Sequence, residues 1–157
     1  MDALQNKQPI LLVEANPFDM ELTLRTLHEN AIANEVIVTR DGQSALDYLF
    51  RRGEYRLRAH PQPCVILLNL RLPKVDGVEV LTQIRKEPSL SNIPVCIITA
   101  SQEDKEFLLA RRWEHEISIV KPFSFDLLRE AMKKLHVEWV LVPATFTQSA
   151  HGRFGTL

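Results

Sequence analysis

Five short apolar runs punctuate the chain, at residues 10–13, 35–39, 64–68, 95–99 and 117–120. Four of them are continuous rather than alternating, the pattern of strands covered on both faces. Amphipathic stretches lie between them. Residues 17–29 open on Asn16-Pro17, a capping residue followed by proline at the first helical position. Residues 43–52 follow Asp41-Gly42, and residues 78–86 carry Val78, Leu81 and Ile84 on one helical face. Residues 102–112 follow Ser101, a good N-cap. Residues 124–139 place Phe125, Leu128, Met132, Leu135 and Trp139 at alternating spacings of three and four. Strand and helix thus alternate five times. That order predicts an α/β fold, a parallel sheet with right-handed crossovers and helices on both faces.

A length of 157 residues is most economically one domain. The pattern divides it into a polar N-terminal tail (1–8), a domain with an apolar C-terminal extension (9–142) and a polar tail expected to be partly disordered (143–157). A formal net charge of -1 gives no basis for binding nucleic acid or a membrane surface. No apolar stretch reaches membrane-spanning length, and residues 1–8 lack the apolar core of a secretory signal, so a cytoplasmic location is expected. Cys64 and Cys96 sit inside apolar runs without metal-ligand spacing, which favours buried reduced thiols over a metal site or a disulfide. The histidines are scattered, so neither a metal nor another cofactor is expected. Arg51-Arg52 reads as a solvated helix end rather than a nucleic-acid patch.

An open parallel sheet carries its chemistry at the carboxyl ends of its strands. Four such ends bring Glu14-Ala15, Asn69, Thr99-Ala100 and Lys121-Pro122 to one edge, with Asp76-Gly77 in the loop after the third strand. Over residues 9–139 this set resembles the CheY-like receiver domain of bacterial response regulators. The resemblance implies a doubly wound, flavodoxin-like (βα)5 fold with strand order 2-1-3-4-5. Three segments narrow it: Leu11-Leu12-Val13-Glu14, the run from Asp41-Gly42-Gln43-Ser44 through Arg51-Arg52-Gly53-Glu54-Tyr55, and Glu138-Trp139-Val140-Leu141-Val142-Pro143. They are similar to the small stand-alone regulators paired with bacterial and cyanobacterial phytochromes, receivers without an output domain.

In that family an acidic pair and an acceptor aspartate hold Mg²⁺, and the acceptor takes a phosphoryl group from a kinase phosphohistidine. A lysine and a Thr or Ser then bind the phosphoryl oxygens, and an aromatic side chain turns inward. The chemistry needs an ionised carboxylate as nucleophile and a hard cation beside it. Matched to this chain, the acceptor position is Asn69, whose neutral amide cannot form an acyl phosphate. Ala15 stands at the second acid, and Ser118, three residues before Lys121, stands at the switching aromatic. Glu14, Thr99, Lys121 and Pro122 are retained. Glu14 and Lys121 alone sum to about zero charge, so Mg²⁺, which wants carboxylates, is expected to be lost. Lys121 is expected to point at Glu14 and Asn69, ahead of a cis Lys121-Pro122 bond, with Asn69 donating to Glu14 as a further option and Arg71 adding positive charge. Asn69 alone would also fit a laboratory substitution; Ala15 and Ser118 favour natural divergence. The plain readings are that Thr99 is a β-branched strand residue and Lys121 a strand-end lysine.

The expected function is that of a non-enzymatic pseudo-receiver in a two-component phosphorelay. Its partners would be a histidine kinase, first of all a phytochrome, and a second copy of itself. Leu135 and Trp139-Val140-Leu141-Val142 carry more apolar surface than one domain needs, which suggests a homodimer interface. Two alternatives stay open: a receiver phosphorylated on Glu14, Thr99 or Ser101, and a DNA-binding regulator. The second has no room for a DNA-binding domain after Pro143.

Overall fold

The computed structural model describes residues 8–110 and 116–137. Strands and helices alternate along it: β1 (Ile10–Val13), α1 (Pro17–Glu29), β2 (Val36–Thr39), α2 (Gly42–Phe50), β3 (Val65–Asn69), α3 (Gly77–Lys86), β4 (Val95–Thr99), α4 (Gln102–Ala110), β5 (Ile117–Val120) and α5 (Phe125–Lys134). The strands form one sheet in the order β2-β1-β3-β4-β5, and every pairing is parallel. This is the parallel sheet between two helical layers that the alternation predicts, in the strand order that the resemblance implies.

The strands alternate their side chains between two helical layers. Leu11, Val13, Ile66, Leu68, Val95 and Ile97 pack with α2, α3 and α4. Ile10, Leu12, Leu67, Cys96, Ile98 and Ile119 pack with α1 and α5. Burial on both faces is why these runs read as continuous apolar stretches. Burial also pushes the Cys64 thiol up to about 11 and the Cys96 thiol up to about 12, which keeps both protonated.

Short polar residues start the helices where the pattern places them. Asn16 accepts from the backbone N–H of Phe18 and Asp19, Asp76 from Glu79 and Ser124 from Leu127. Asp41 caps α2 by accepting from Ser44 N at 2.7 Å. Burial opposes its ionisation, but bonds from the Ser44 backbone and hydroxyl, with Lys74 nearby, leave its carboxyl below the usual value. Gly77 is required by close approach: a Cβ there would lie 2.3 Å from the Asn69 carbonyl oxygen.

Two boundaries differ from the sequence pattern in a way that matters. β3 runs one residue further, so Asn69 belongs to the strand itself. The last helix ends at Lys134 rather than continuing to 139. His136 adopts φ 56, its N–H bonds to the Lys133 carbonyl, and the Val137 N–H bonds to the Met132 carbonyl at 3.0 Å. That is a Schellman stop, built without glycine. It breaks the apolar stripe after Leu135, a half-buried residue packed on the α1/α5 layer. Trp139, Val140, Leu141 and Val142 lie outside the described residues, as do the tails 1–7 and 143–157.

Candidate functional site

Register levels the strand ends. Val13 pairs with Leu68, Asn69 with Ile98 and Thr99 with Val120, so β1, β3, β4 and β5 finish at one edge. Glu14, Asn69 and Lys121 lie at or just beyond these ends. Glu14 is 3% exposed and Asn69 4%, so both polar groups need partners inside the protein.

The Asn69 side-chain amide donates to the Val13 carbonyl oxygen at 2.9 Å. The option of an Asn69 bond to Glu14 is therefore not the one taken. The amide instead bridges the carboxyl ends of β3 and β1, with its N–H on a backbone acceptor. Glu14 receives the Asn16 backbone N–H at 3.2 Å on one oxygen and the Lys121 ammonium at 3.1 Å on the other.

Lys121 meets the expectation of its direction at Glu14 but not at Asn69. Its Nζ joins Glu14 and also Asp19 Oδ2, the latter at 2.7 Å. Its ion-pair partners are thus two carboxylates, the expected Glu14 and, in place of Asn69, Asp19. Asp19 was missed from the sequence. The signal was available: an acid in the first turn of α1 lies over the strand ends, because Asn16 and Pro17 start the helix immediately after β1. With Asp19 included, the local sum is minus two plus one, or -1, rather than zero.

The other expected residues fall around this centre. Thr99 is fully buried, and its hydroxyl donates to the Ile119 carbonyl at 3.4 Å. Its own carbonyl accepts the Lys121 backbone N–H at 2.8 Å, joining the ends of β4 and β5. The Lys121-Pro122 bond is cis. Ala15 is half-buried beside Glu14, and Ser118 is half-buried on β5 opposite Ile97. Ser101 accepts from Asp104 N at 3.3 Å at the start of α4.

Arg71 adds no unpaired charge to the centre. Its guanidinium grips Asp104 of α4 through two bonds, Nη2 to Oδ1 at 2.7 Å and Nε to Oδ2 at 3.3 Å. The bonds to Asp104 raise the Arg71 pKa further above its ordinary value. The Asp104 side chain is only 5% exposed, so this fork anchors the loop after β3 to α4.

The response regulator receiver domain family matches residues 10–133 of the chain. Among relatives, the probable methanogenesis regulatory protein FilR2 of Methanothrix harundinacea is 37% identical over 143 residues, covering 88% of this chain and 89% of its own. Response regulator Rcp1 of Synechocystis is 35% identical over 138 residues, 86% of this chain and 92% of its own. The solved bacteriophytochrome response regulator AtBRR superposes with a TM-score of 0.82 at 44% identity, covering 87% of this chain and 97% of that one. Rcp1 has been solved in a Mn²⁺-bound form.

Proposed function

Because the chain belongs to the response regulator receiver domain family, we propose that it is a stand-alone regulator of two-component signalling that works by protein contact, without phosphorylation of residue 69. Its kinship with bacteriophytochrome regulators supports a histidine kinase of the phytochrome class as the first partner. It acts in the cytoplasm and catalyses no reaction of its own. No helix among the described residues is long and apolar enough to cross a membrane.

One observation carries this reading. At the position where a receiver needs a nucleophilic carboxylate, an amide donates its N–H to Val13. A neutral amide has neither the negative charge nor the nucleophilicity of the carboxylate that phosphoryl transfer requires. The neighbouring carboxylates are engaged as well: the Lys121 ammonium bridges Glu14 and Asp19. A divalent cation would have to displace that ammonium and would meet Ala15 where a second ligand is wanted. These residues do not fit the metal that the family uses.

The α1 surface supports a helical partner. Phe18 is 82% exposed, and Leu22, one turn on, is 40% exposed. Leu127 of α5, in the same layer, is 46% exposed. Exposed apolar side chains one turn apart at the start of α1, next to the site, suit an apolar helical partner such as a kinase helix. The proposed homodimer rests on Leu135 and the apolar residues 139–142, and cutting the chain after His136 should leave a monomer by light scattering.

The deciding experiment incubates the protein with acetyl phosphate and Mg²⁺ and reads the intact mass. No stable adduct is expected, while the Asn69→Asp, Ala15→Asp double variant tests whether two carboxylates restore labelling. An adduct mapped to Glu14, Thr99 or Ser101 would replace this reading with the non-standard acceptor. In parallel, Phe18→Ser should abolish capture by a purified phytochrome-class kinase.

A further inference from the structure

A groove opens on the opposite helical layer, where the loop after β3 and the first turn of α3 face α4. Its volume is about 420 Å³, and its walls include Val78, Phe107, Asp76, Glu79 and the Arg71–Asp104 pair. Phe107 is 41% exposed and Val78 half-buried, so the groove has an apolar wall open to solvent. Among the described residues, three carboxylates and one guanidinium line it, a net charge of -2. Arg71 spends its fork on Asp104, which leaves the rim acids, Asp76 and Glu79, as the uncompensated charge. Asp76 accepts from the Glu79 backbone N–H and Glu79 from Gln83, each using one of the several acceptor positions a carboxylate has. The Arg71–Asp104 fork also joins the groove's two walls, so the cleft is preformed.

We infer that this groove docks a segment of a partner protein in which a Lys or Arg stands next to a large apolar side chain. The cation would lie between Asp76 and Glu79, and the apolar group against Phe107 and Val78. Charge selects this occupant over others. An anionic segment or a nucleic acid meets a net charge of the same sign. A second copy docking by two-fold symmetry would set this acidic rim against itself. The surface lies on the layer away from Phe18 and Leu22, so a kinase on α1 and a second protein in the groove are sterically compatible. A regulator that works by contact needs two such surfaces to link two proteins.

The test uses the ¹⁵N-labelled full chain and an amphipathic helical peptide of about 18 residues, long enough to hold its helix, with lysines on one face and leucines on the other. A twin carries glutamate for lysine. The lysine peptide should shift the amides of residues 70–79 and 102–108, and the twin should not bind. Glu79→Lys should weaken binding about tenfold and Phe107→Ser at least several-fold, while Phe18→Ser leaves it within about twofold. Both groove positions are exposed, and dispersion of the amide spectrum verifies that the variants fold. Shifts mapping to α1 and α5, equal binding of both peptides, or an indifferent Glu79→Lys variant would overturn the proposal. So would movement of the groove amides when residues 143–157 are removed without peptide, because the chain's own tail would then be the occupant.

Discussion

Replacing Asn69 with aspartate is the most revealing single change, because it restores the family's acceptor while breaking this site's geometry. Asn69 is 4% exposed and its N–H₂ group donates to Val13 at 2.9 Å. A carboxylate in the same rotamer would place an oxygen, not a donor, against that carbonyl. The lost hydrogen bond costs about 0.5–1.5 kcal/mol, and the unsatisfied buried acceptors add about 1–3 kcal/mol. Lys121 offers no free remedy: turning to the new acid would strip the ammonium from Glu14, whose side chain is only 4% exposed. A net loss of about 2–4 kcal/mol is expected at pH 7, or about 5–15 °C in melting temperature. The introduced acid should titrate above its ordinary value of about 3.9. For a carboxyl raised in the folded state, the deficit is absent where folded and unfolded chains are both protonated, below about pH 4. It grows as the pH rises through the folded value and is complete above it. Urea unfolding of parent and variant at pH 4 and pH 7, with and without Mg²⁺, measures this directly. Curves that coincide at pH 7, or a variant that Mg²⁺ stabilises beyond the parent, would refute the reasoning.

Lys121→Met should destabilise by about 1–3 kcal/mol in thermal melts, since Glu14 and Asp19 then repel without their shared cation. Asp41→Ala removes the α2 cap and should cost about 0.5–2 kcal/mol at pH 7. The Asp41 carboxyl titrates low in the folded protein, so that difference should persist above about pH 4 and vanish as the pH falls through its depressed value. Gly77→Ala should be far more damaging than an ordinary helix-start substitution, because its Cβ would lie 2.3 Å from the Asn69 carbonyl; chemical denaturation should show a loss of several kcal/mol, about 3 or more. Cys64 and Cys96, with thiols held at about 11 and about 12, should react with a disulfide reagent at pH 8 only as the chain unfolds.

Periodicity carried the layered parallel sheet of this protein, but not its strand order. Continuous apolar runs separated by capped amphipathic segments admit few arrangements other than a parallel sheet between helical layers, and the resemblance at the strand ends supplied its order. That Glu14, Ala15, Asn69, Thr99 and Lys121 come toward one edge was equally legible, since strand ends converge wherever such a sheet forms, while the roles expected of them came from the resemblance. What the linear pattern left open was the choice among partners of similar chemistry. Lys121 reaches Asp19 as well as Glu14 only because α1 starts immediately beyond β1 and brings its first turn over the sheet edge. Asn69 selects Val13 over Glu14 because parallel register sets the end of β1 beside it. Arg71 finds Asp104 across a distance of 33 residues in sequence, which no local spacing encodes. The helical stripe also misled at its end: three-and-four spacing continues to Trp139, but a backbone turn at His136 stops the helix after Lys134. Side-chain periodicity reports which face an element buries, whereas pairing and termination depend on where backbone carbonyls and remote charges come to lie, and that is decided only when the chain has folded.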